Sequence, residues 1–232
     1  MIPAADAPGD DLAELTAQIL LDTRSVLFRP EEPFFFSSGW ASPVFVDCKR
    51  LVSFPLARDA IIELAIRRIM ANVGYEAIDV IAGGEVAGVP FAAMIADRLH
   101  LPLVVVRKQA MGFGPSAQTE GVLEAGKRVL LVEDVTTDGR SKALFCRGLQ
   151  RAGAEVQRAF VLFKYGIFDH VVRDLDALGV SLFALATWSD VLAVARRRNA
   201  LDSDTVEAIE AYIADPVQWS RANGGIGNEA RI

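Results

Sequence analysis

The stretch VLLVEDVTTDGRSK, Val129 to Lys142, runs four aliphatic residues into two adjacent carboxylates and then into a polar turn. A short apolar run bounded by turn residues reads as a buried strand, Arg128 to Val132, and the spacing that follows predicts a helix from Ser141 to Ala152. Glu133 and Asp134 therefore fall at a strand end, next to the hydroxyls and backbone N–H groups of Thr136, Thr137, Asp138, Gly139 and Ser141. A helix N-terminus of this kind favours an anion such as a phosphate. Adjacent residues in extended chain point to opposite sides, but a backbone that curls at the strand end lets both carboxylates reach one ligand. The plain alternative is an acidic strand end with a helix cap. A sugar phosphate suits the whole stretch, with hydroxyls for the carboxylates and phosphate for the turn.

Outward from this stretch the chain alternates. Ile78 to Ala82 predicts a strand, followed by the glycine turn GGEVAGVP and a helix from Phe91 to Leu99. Leu101 to Val106 is the next strand, and the polar, glycine-containing stretch Arg107 to Gly126 follows. Beyond Ala152 come a strand at Val156 to Phe163, a helix at Ile167 to Leu178, a strand at Val180 to Ala186, and helices near Ser189 to Arg198 and Ser203 to Ala214. Strands alternating with helices imply right-handed crossovers and a mostly parallel sheet, which binds ligands at the carboxyl ends of its strands. Before this core, helical spacing covers Asp11 to Leu27 and Pro55 to Val73, and FFFSSGWASPVFVD, Phe34 to Asp47, reads as two short strands around Ser37, Ser38 and Gly39. The expected organisation is residues 1–50 as an N-terminal helix and hood, 51–200 as the α/β core, and 201–232 as a C-terminal helix and tail.

The 232 residues are 52% hydrophobic, enough for a full core, and the formal net charge is -6. That balance argues against a nucleic-acid surface, which needs clustered Lys and Arg, and leaves room for an anionic small molecule at a local positive patch. Cys48 and Cys146, with His100 and His170, supply neither a disulfide framework nor a zinc site. Both cysteines are read as buried small hydrophobes. The opening residues are acidic where a signal peptide would be basic, and no run of about eighteen apolar residues occurs. The expectation is a cytoplasmic protein without membrane or nucleic-acid partners.

VLLVEDVTTDGRS resembles the 5-phosphoribosyl-1-diphosphate (PRPP) motif of type I phosphoribosyltransferases. The resemblance implies that Glu133 and Asp134 hold the ribose hydroxyls, that Thr136, Thr137, Asp138, Gly139, Arg140 and Ser141 bind the 5′-phosphate, and that Val135 belongs to the same PRPP-binding stretch. Arg140 stands where the family commonly has a small residue. In AGGEVAGVPFA, Gly83, Gly84, Glu85 and Val86 match the pyrophosphate loop, where the family often has a non-proline cis peptide. VRKQAMGFGPSAQTEG, Val106 to Gly121, resembles the catalytic lid of orotate phosphoribosyltransferases, with Arg107 and Lys108 as the cations for the leaving pyrophosphate. Catalytic roles accordingly fall to Arg107, Lys108 and Asp134.

The hood segment matches the family at Ser38, Gly39, Ser42, Pro43 and Phe45, with Phe34 and Phe36 assigned to packing. Together with FKYGIF and TW, the pattern looks most like orotate phosphoribosyltransferases of the alphaproteobacterial type, over roughly Leu12 to Ala195. The fold implied is the type I phosphoribosyltransferase fold, a mostly parallel sheet flanked by helices with a small N-terminal hood. Ser38, Gly39, Phe45, Thr137 and Lys164 are the expected orotate contacts. The resemblance also implies Mg2+ held through PRPP near Glu133 and Asp134, and a homodimer whose lid crosses to the partner site. Ser37, Ala87, Met111 and Phe113 stand where better-known members carry lysine or histidine. Two other readings stay open: a PRPP-binding sensor with little turnover, and transfer to another base.

Overall fold

A computed structural model describes residues 11–36, 38–111, 114, 117–137 and 139–227. Its centre is a six-stranded sheet of β5 (Val80–Gly84), β6 (Leu103–Val106), β7 (Thr119–Glu120), β8 (Arg128–Thr136), β9 (Glu155–Lys164) and β10 (Ser181–Thr187), in the order β10-β9-β8-β5-β6-β7. Five strands run parallel and β7 alone is antiparallel, pairing Val105 with Glu120 and Val106 with Thr119. The mostly parallel α/β sheet is the expected fold class.

Helices cover both faces, as a parallel sheet requires. On one face lie α1 (Asp11–Asp22), α2 (Pro55–Asn72), α3 (Gly88–Leu99), and later α6 (Trp188–Arg197) and α7 (Ser203–Ala214), around a core that includes Leu20, Ile61, Phe91, Phe160, Trp188 and Ile209. The other face carries α4 (Arg140–Arg151) and α5 (Asp169–Asp176), packed through Phe145, Leu149, Val171 and Leu175 onto Ala82, Val104 and Leu131. Each of these large side chains, when fully buried, contributes about 1.5–3 kcal/mol.

The N-terminal hood is built from short pieces. β1 (Val26–Phe28) pairs antiparallel with β4 (Val44–Val46), and β2 (Phe34–Phe35) with β3 (Ala41–Ser42). Two-stranded ribbons are marginal in water, so they need anchoring to the body. Tyr165, at the end of β9 and 3% exposed, supplies one anchor: its hydroxyl oxygen accepts from the Val46 N–H at 3.0 Å. Its ring also meets Trp188 edge-on at 5.4 Å and Phe36 at 6.0 Å.

Several boundaries differ from the sequence expectation. The first helix stops at Asp22, not Leu27: Arg24 turns left-handed (φ 53°), and Val26–Phe28 leaves as a strand whose partner, Val44–Val46, lies well beyond helical range along the chain. The hood holds three strands after residue 30, not two. The helix predicted from Phe91 begins at Gly88, directly after the turn. Helix α8 (Pro216–Ala222) was not expected; Asp215 caps it by accepting from the Gln218 N–H at 2.8 Å, and Pro216 occupies its first turn. The most consequential shift is in β8, which runs to Thr136 rather than ending at Val132.

Candidate active site

Because β8 continues through Glu133 and Asp134, with Glu133 opposite Val161, Val135 opposite Phe163 and Thr136 opposite Lys164, the backbone does not curl before the carboxylates. The period of two then separates them. Asp134 lines a cleft of about 500 Å3 at the carboxyl ends of the strands. Glu133 does not line it. Glu133 turns toward the β5–α3 turn and α4, where its Oε2 accepts from Lys142 Nζ at 2.8 Å.

Both carboxylates are buried, Glu133 at 4% and Asp134 at 5% exposure. Loss of hydration raises the pKa of each above the ordinary carboxylate range, and the Lys142 ammonium opposes the rise at both. Asp134 has a further opposing contact, the Val135 N–H at 2.7 Å. Glu133 Oε1 has no hydrogen-bond partner among the described residues. It faces Gly84 and Gly88, where an added Cβ would stand 2.7 and 2.5 Å away. The glycines of the turn thus let β5 and α3 close around this carboxylate.

Past Thr136, the chain turns through Thr137 and Gly139 into α4. Gly139 adopts φ 70°, and a side chain there would run into Val171, so only glycine fits the entry to the helix. Val135, Thr137, Arg140 and Ser141 all line the cleft, and the first turn of α4 opens toward it. Asp138 lies outside the described residues. Thr136 is buried, with its hydroxyl unpartnered among the described residues, and stands below the cleft rather than in it.

Gly83 and Gly84 close β5, and the Glu85–Val86 peptide is cis. Val86 is 80% exposed. The Glu85 carboxylate accepts from the Lys108 N–H at 3.0 Å and lies 3.6 Å from the Arg107 guanidinium. Arg107 is also paired with Glu120, so the two predicted catalytic cations differ: Lys108 lines the cleft, while Arg107 faces two carboxylates away from it. The root of the lid is closed by Gln118, 5% exposed, whose amide donates to the Arg107 and Lys108 carbonyls at 3.1 and 3.2 Å and whose carbonyl accepts from Arg151 on α4. Within the lid, Gly112, Phe113, Pro115 and Ser116 lie outside the described residues.

Across the cleft stands the hood. Phe35, Phe36, Ser38, Phe45 and Tyr165 line this end, with Phe45 tilted against Phe34 and Phe36 at 5.5 and 6.1 Å. Phe36 both packs and faces the cleft, which corrects its assignment to packing alone. Of the expected base contacts, Ser38, Phe45 and Thr137 come together here. Gly39 does not line the cleft; its carbonyl accepts from the Ile226 N–H at 2.9 Å. Lys164 ends β9, half-buried and outside the cleft lining. Ser37 lies outside the described residues.

Sequence reasoning missed Lys49, Leu144 and Tyr165 in the lining, and Lys142 beneath it. Lys49 follows the hood segment directly, and that position was the available signal; Lys142 gave none, because its partner is set by tertiary packing. With Lys49, Lys108 and Arg140 against Asp134, the cleft is locally cationic in an acidic chain. It can hold an anion at the α4 end and a flat ring at the aromatic end. Among the described residues, no cluster of three or more His, Cys, Asp or Glu could hold a metal, and no helix is long and apolar enough to cross a membrane.

The profile of the phosphoribosyl transferase domain matches residues 49–174. The orotate phosphoribosyltransferase of Cereibacter sphaeroides is 45% identical over 222 residues, covering 96% of each chain. That of Dinoroseobacter shibae is 45% identical over 223 residues, 96% of this chain and 99% of its own. Among solved structures, orotate phosphoribosyltransferase from Aeropyrum pernix superposes with a TM-score of 0.65 at 28% identity, covering 79% of this chain and 99% of its own. UMP synthase of Leishmania donovani gives 0.75 at 26% identity over 87% of this chain and 42% of that one. Sequence, fold and cleft agree, and the chain belongs to the orotate phosphoribosyltransferase family.

Proposed function

We propose that the chain transfers the phosphoribosyl group from PRPP to N1 of orotate, giving orotidine 5′-monophosphate and pyrophosphate. The observation that carries this reading is one cleft in which Asp134, Thr137 and Ser141 face the aromatic hood of Phe35, Phe36 and Phe45. Asp134 offers a carboxylate to the ribose hydroxyls. The turn from Thr137 to Ser141, at the N-terminus of α4, takes the 5′-phosphate through hydroxyls and backbone N–H groups. Lys108 reaches the leaving pyrophosphate, with the chain around Glu85 and Val86 beside it. Such a transfer needs no covalent nucleophile: a cationic ribosyl centre is stabilised by Asp134 and by charge balance at the departing group. The hood aromatics hold the pyrimidine plane, and Lys49, rather than Lys164, is the cation that lines the cleft for its carboxylate.

Mg2+ belongs to this reading as an ion held mainly by PRPP oxygens. The donor set fits an ion carried in by its ligand: Asp134 offers one carboxylate in the cleft, Glu133 is turned away from it, and no cage of protein donors occurs among the described residues. The bound ion would supply charge neutralisation for the pyrophosphate. A homodimer whose lid crosses to the partner site, a cytoplasmic location, and the division into hood, core and tail at residues 50 and 200 complete the proposal.

Mixing the protein with Mg2+, PRPP and orotate and following orotate absorbance tests it. Loss of signal with stoichiometric pyrophosphate release is expected. PRPP binding without turnover would instead indicate a sensor. Turnover with a purine in place of orotate would overturn the base assignment.

A further inference from the structure

Residues 216–227, after α7, fold back onto the body. Helix α8 turns the chain back toward the hood, and its last turn buries Ser220 completely. The Ser220 hydroxyl accepts from the Ala41 N–H at 3.0 Å and donates to the Ile226 carbonyl at 2.6 Å. Two residues away in the hood, the Gly39 carbonyl accepts from the Ile226 N–H at 2.9 Å. One hydroxyl and one main-chain bond therefore tie the tail to both sides of Trp40, which is itself 1% exposed and tilted on Phe168 at 4.8 Å.

The fit leaves no slack. A side chain on Gly225 would overlap Ser220 Oγ and stand 2.5 Å from the Ala41 nitrogen, and one on Gly39 would press on Ile226 at 3.1 Å. The part of the hood being held is the turn between β2 and β3, a two-residue ribbon that cannot stabilise itself. Phe35, Phe36 and Ser38, in and just before that turn, line the cleft. Gly224 passes near the Phe35 ring.

We propose that Pro216–Gly227 is a clamp that sets the hood over the base end of the cleft, with Ser220 as its positioning residue, so that the tail governs affinity for the pyrimidine and not for PRPP. The pyrimidine part rests on the proposed function; the clamp itself does not. Removing the Ser220 hydroxyl leaves the Ala41 donor buried without an acceptor, and the hood turn loosens to find water.

The test uses the full chain with Ser220→Ala and, separately, a chain ending at Asn223. Expected in both are a rise of roughly tenfold in the KM for orotate, the size of one lost buried hydrogen bond, a KM for PRPP within about twofold of wild type, and faster amide exchange at Phe36, Gly39 and Ala41 with the β5, β8 and β9 amides unchanged. Equal rises in both KM values overturn the specificity role. Unchanged exchange in the hood overturns the clamp. If wild type shows no turnover with orotate, the proposed function fails while the exchange measurement still decides the clamp. Loss of the folded state in both variants also overturns it, because a clamp confined to the hood leaves the sheet intact.

Discussion

Lys142 Nζ lies 2.8 Å from Glu133 Oε2, and both side chains are only 6% exposed. The first acid of the PRPP motif is thus paired beneath the cleft, with only its second oxygen unsatisfied. A buried pair of this kind costs little as a unit but much when halved, since one partner alone is an uncompensated charge. Lys142→Met should destabilise the fold by about 3–5 kcal/mol, lowering the melting temperature by roughly 10 °C for a chain this size. Combining it with Glu133→Gln should restore most of that loss. A double variant as unstable as Lys142→Met would show that the two residues do not act as a pair.

Asp134 carries a different balance. Burial raises its pKa, so the folded chain holds this proton more tightly than the unfolded chain does. The group is therefore neutral for stability below the unfolded value of about 3.9 and opposes folding as pH rises through the interval up to its folded pKa. Asp134→Asn removes that cost and keeps an oxygen for the Val135 N–H. The variant should lose turnover by at least about a hundredfold, while its melting temperature relative to wild type rises between pH 4 and pH 7. Retained turnover would remove Asp134 from the reaction; a relative stability that falls over this range would contradict the burial argument.

Arg107 and Lys108 are adjacent but unequal. Lys108 lines the cleft, with its N–H fixed by Glu85, whereas Arg107 is paired with Glu85 and Glu120. Lys108→Ala should lower kcat by roughly a hundredfold or more, the scale of one lost electrostatic donor at a developing charge. Arg107→Ala should cost less than about tenfold, mostly through a looser lid root, since partly exposed pairs contribute at most about 1 kcal/mol. Steady-state kinetics decide between them, and an equal loss in both variants would restore Arg107 as a direct pyrophosphate contact.

The fold was legible where local pattern and final environment agree. The apolar runs at Ile78, Leu101, Val129 and Val156 became parallel strands because each is covered on both faces. The turn residues Thr137, Gly139 and Ser141 marked a helix start, and Thr137 and Ser141 do line the cleft at the N-terminus of α4. What stayed hidden depends on distant partners. Glu133 and Asp134 diverge because β9 pairs β8 as far as Thr136, which no local signal in Val129 to Lys142 encodes. Lys142 reads as an exposed helix residue until Glu133 is placed beside it. The tail carries weak periodicity, and its purpose lies in Ser220 meeting Ala41 across 179 positions. Short β7 escaped for the same reason: Thr119 and Glu120 are strand only because Val105 and Val106 lie alongside.

Gln118 should be the most informative residue outside the cleft. Its side chain is buried, bonds the carbonyls of Arg107 and Lys108, accepts from Arg151, and packs 3.2–3.3 Å from where a side chain on Gly148 would begin. It therefore joins the lid root to α4, the helix whose first turn lines the cleft. Gln118→Leu keeps approximate volume but strips three part-buried hydrogen bonds, each contributing about 0.5–1.5 kcal/mol. Stability should fall by only part of that sum, because the lid root can open to water. The larger effect should be kinetic: Lys108 keeps the Glu85 contact at its N–H but loses the Gln118 contact at its carbonyl, so kcat falls while the KM for orotate, set at the hood, stays near wild type. Gln118→Glu, which keeps the acceptor for Arg151 but loses the donor to the lid carbonyls, separates the two halves of the latch. Impaired kcat is expected. A glutamate variant with normal kcat would mean that the bond to Arg151, and not the grip on the lid backbone, is what matters.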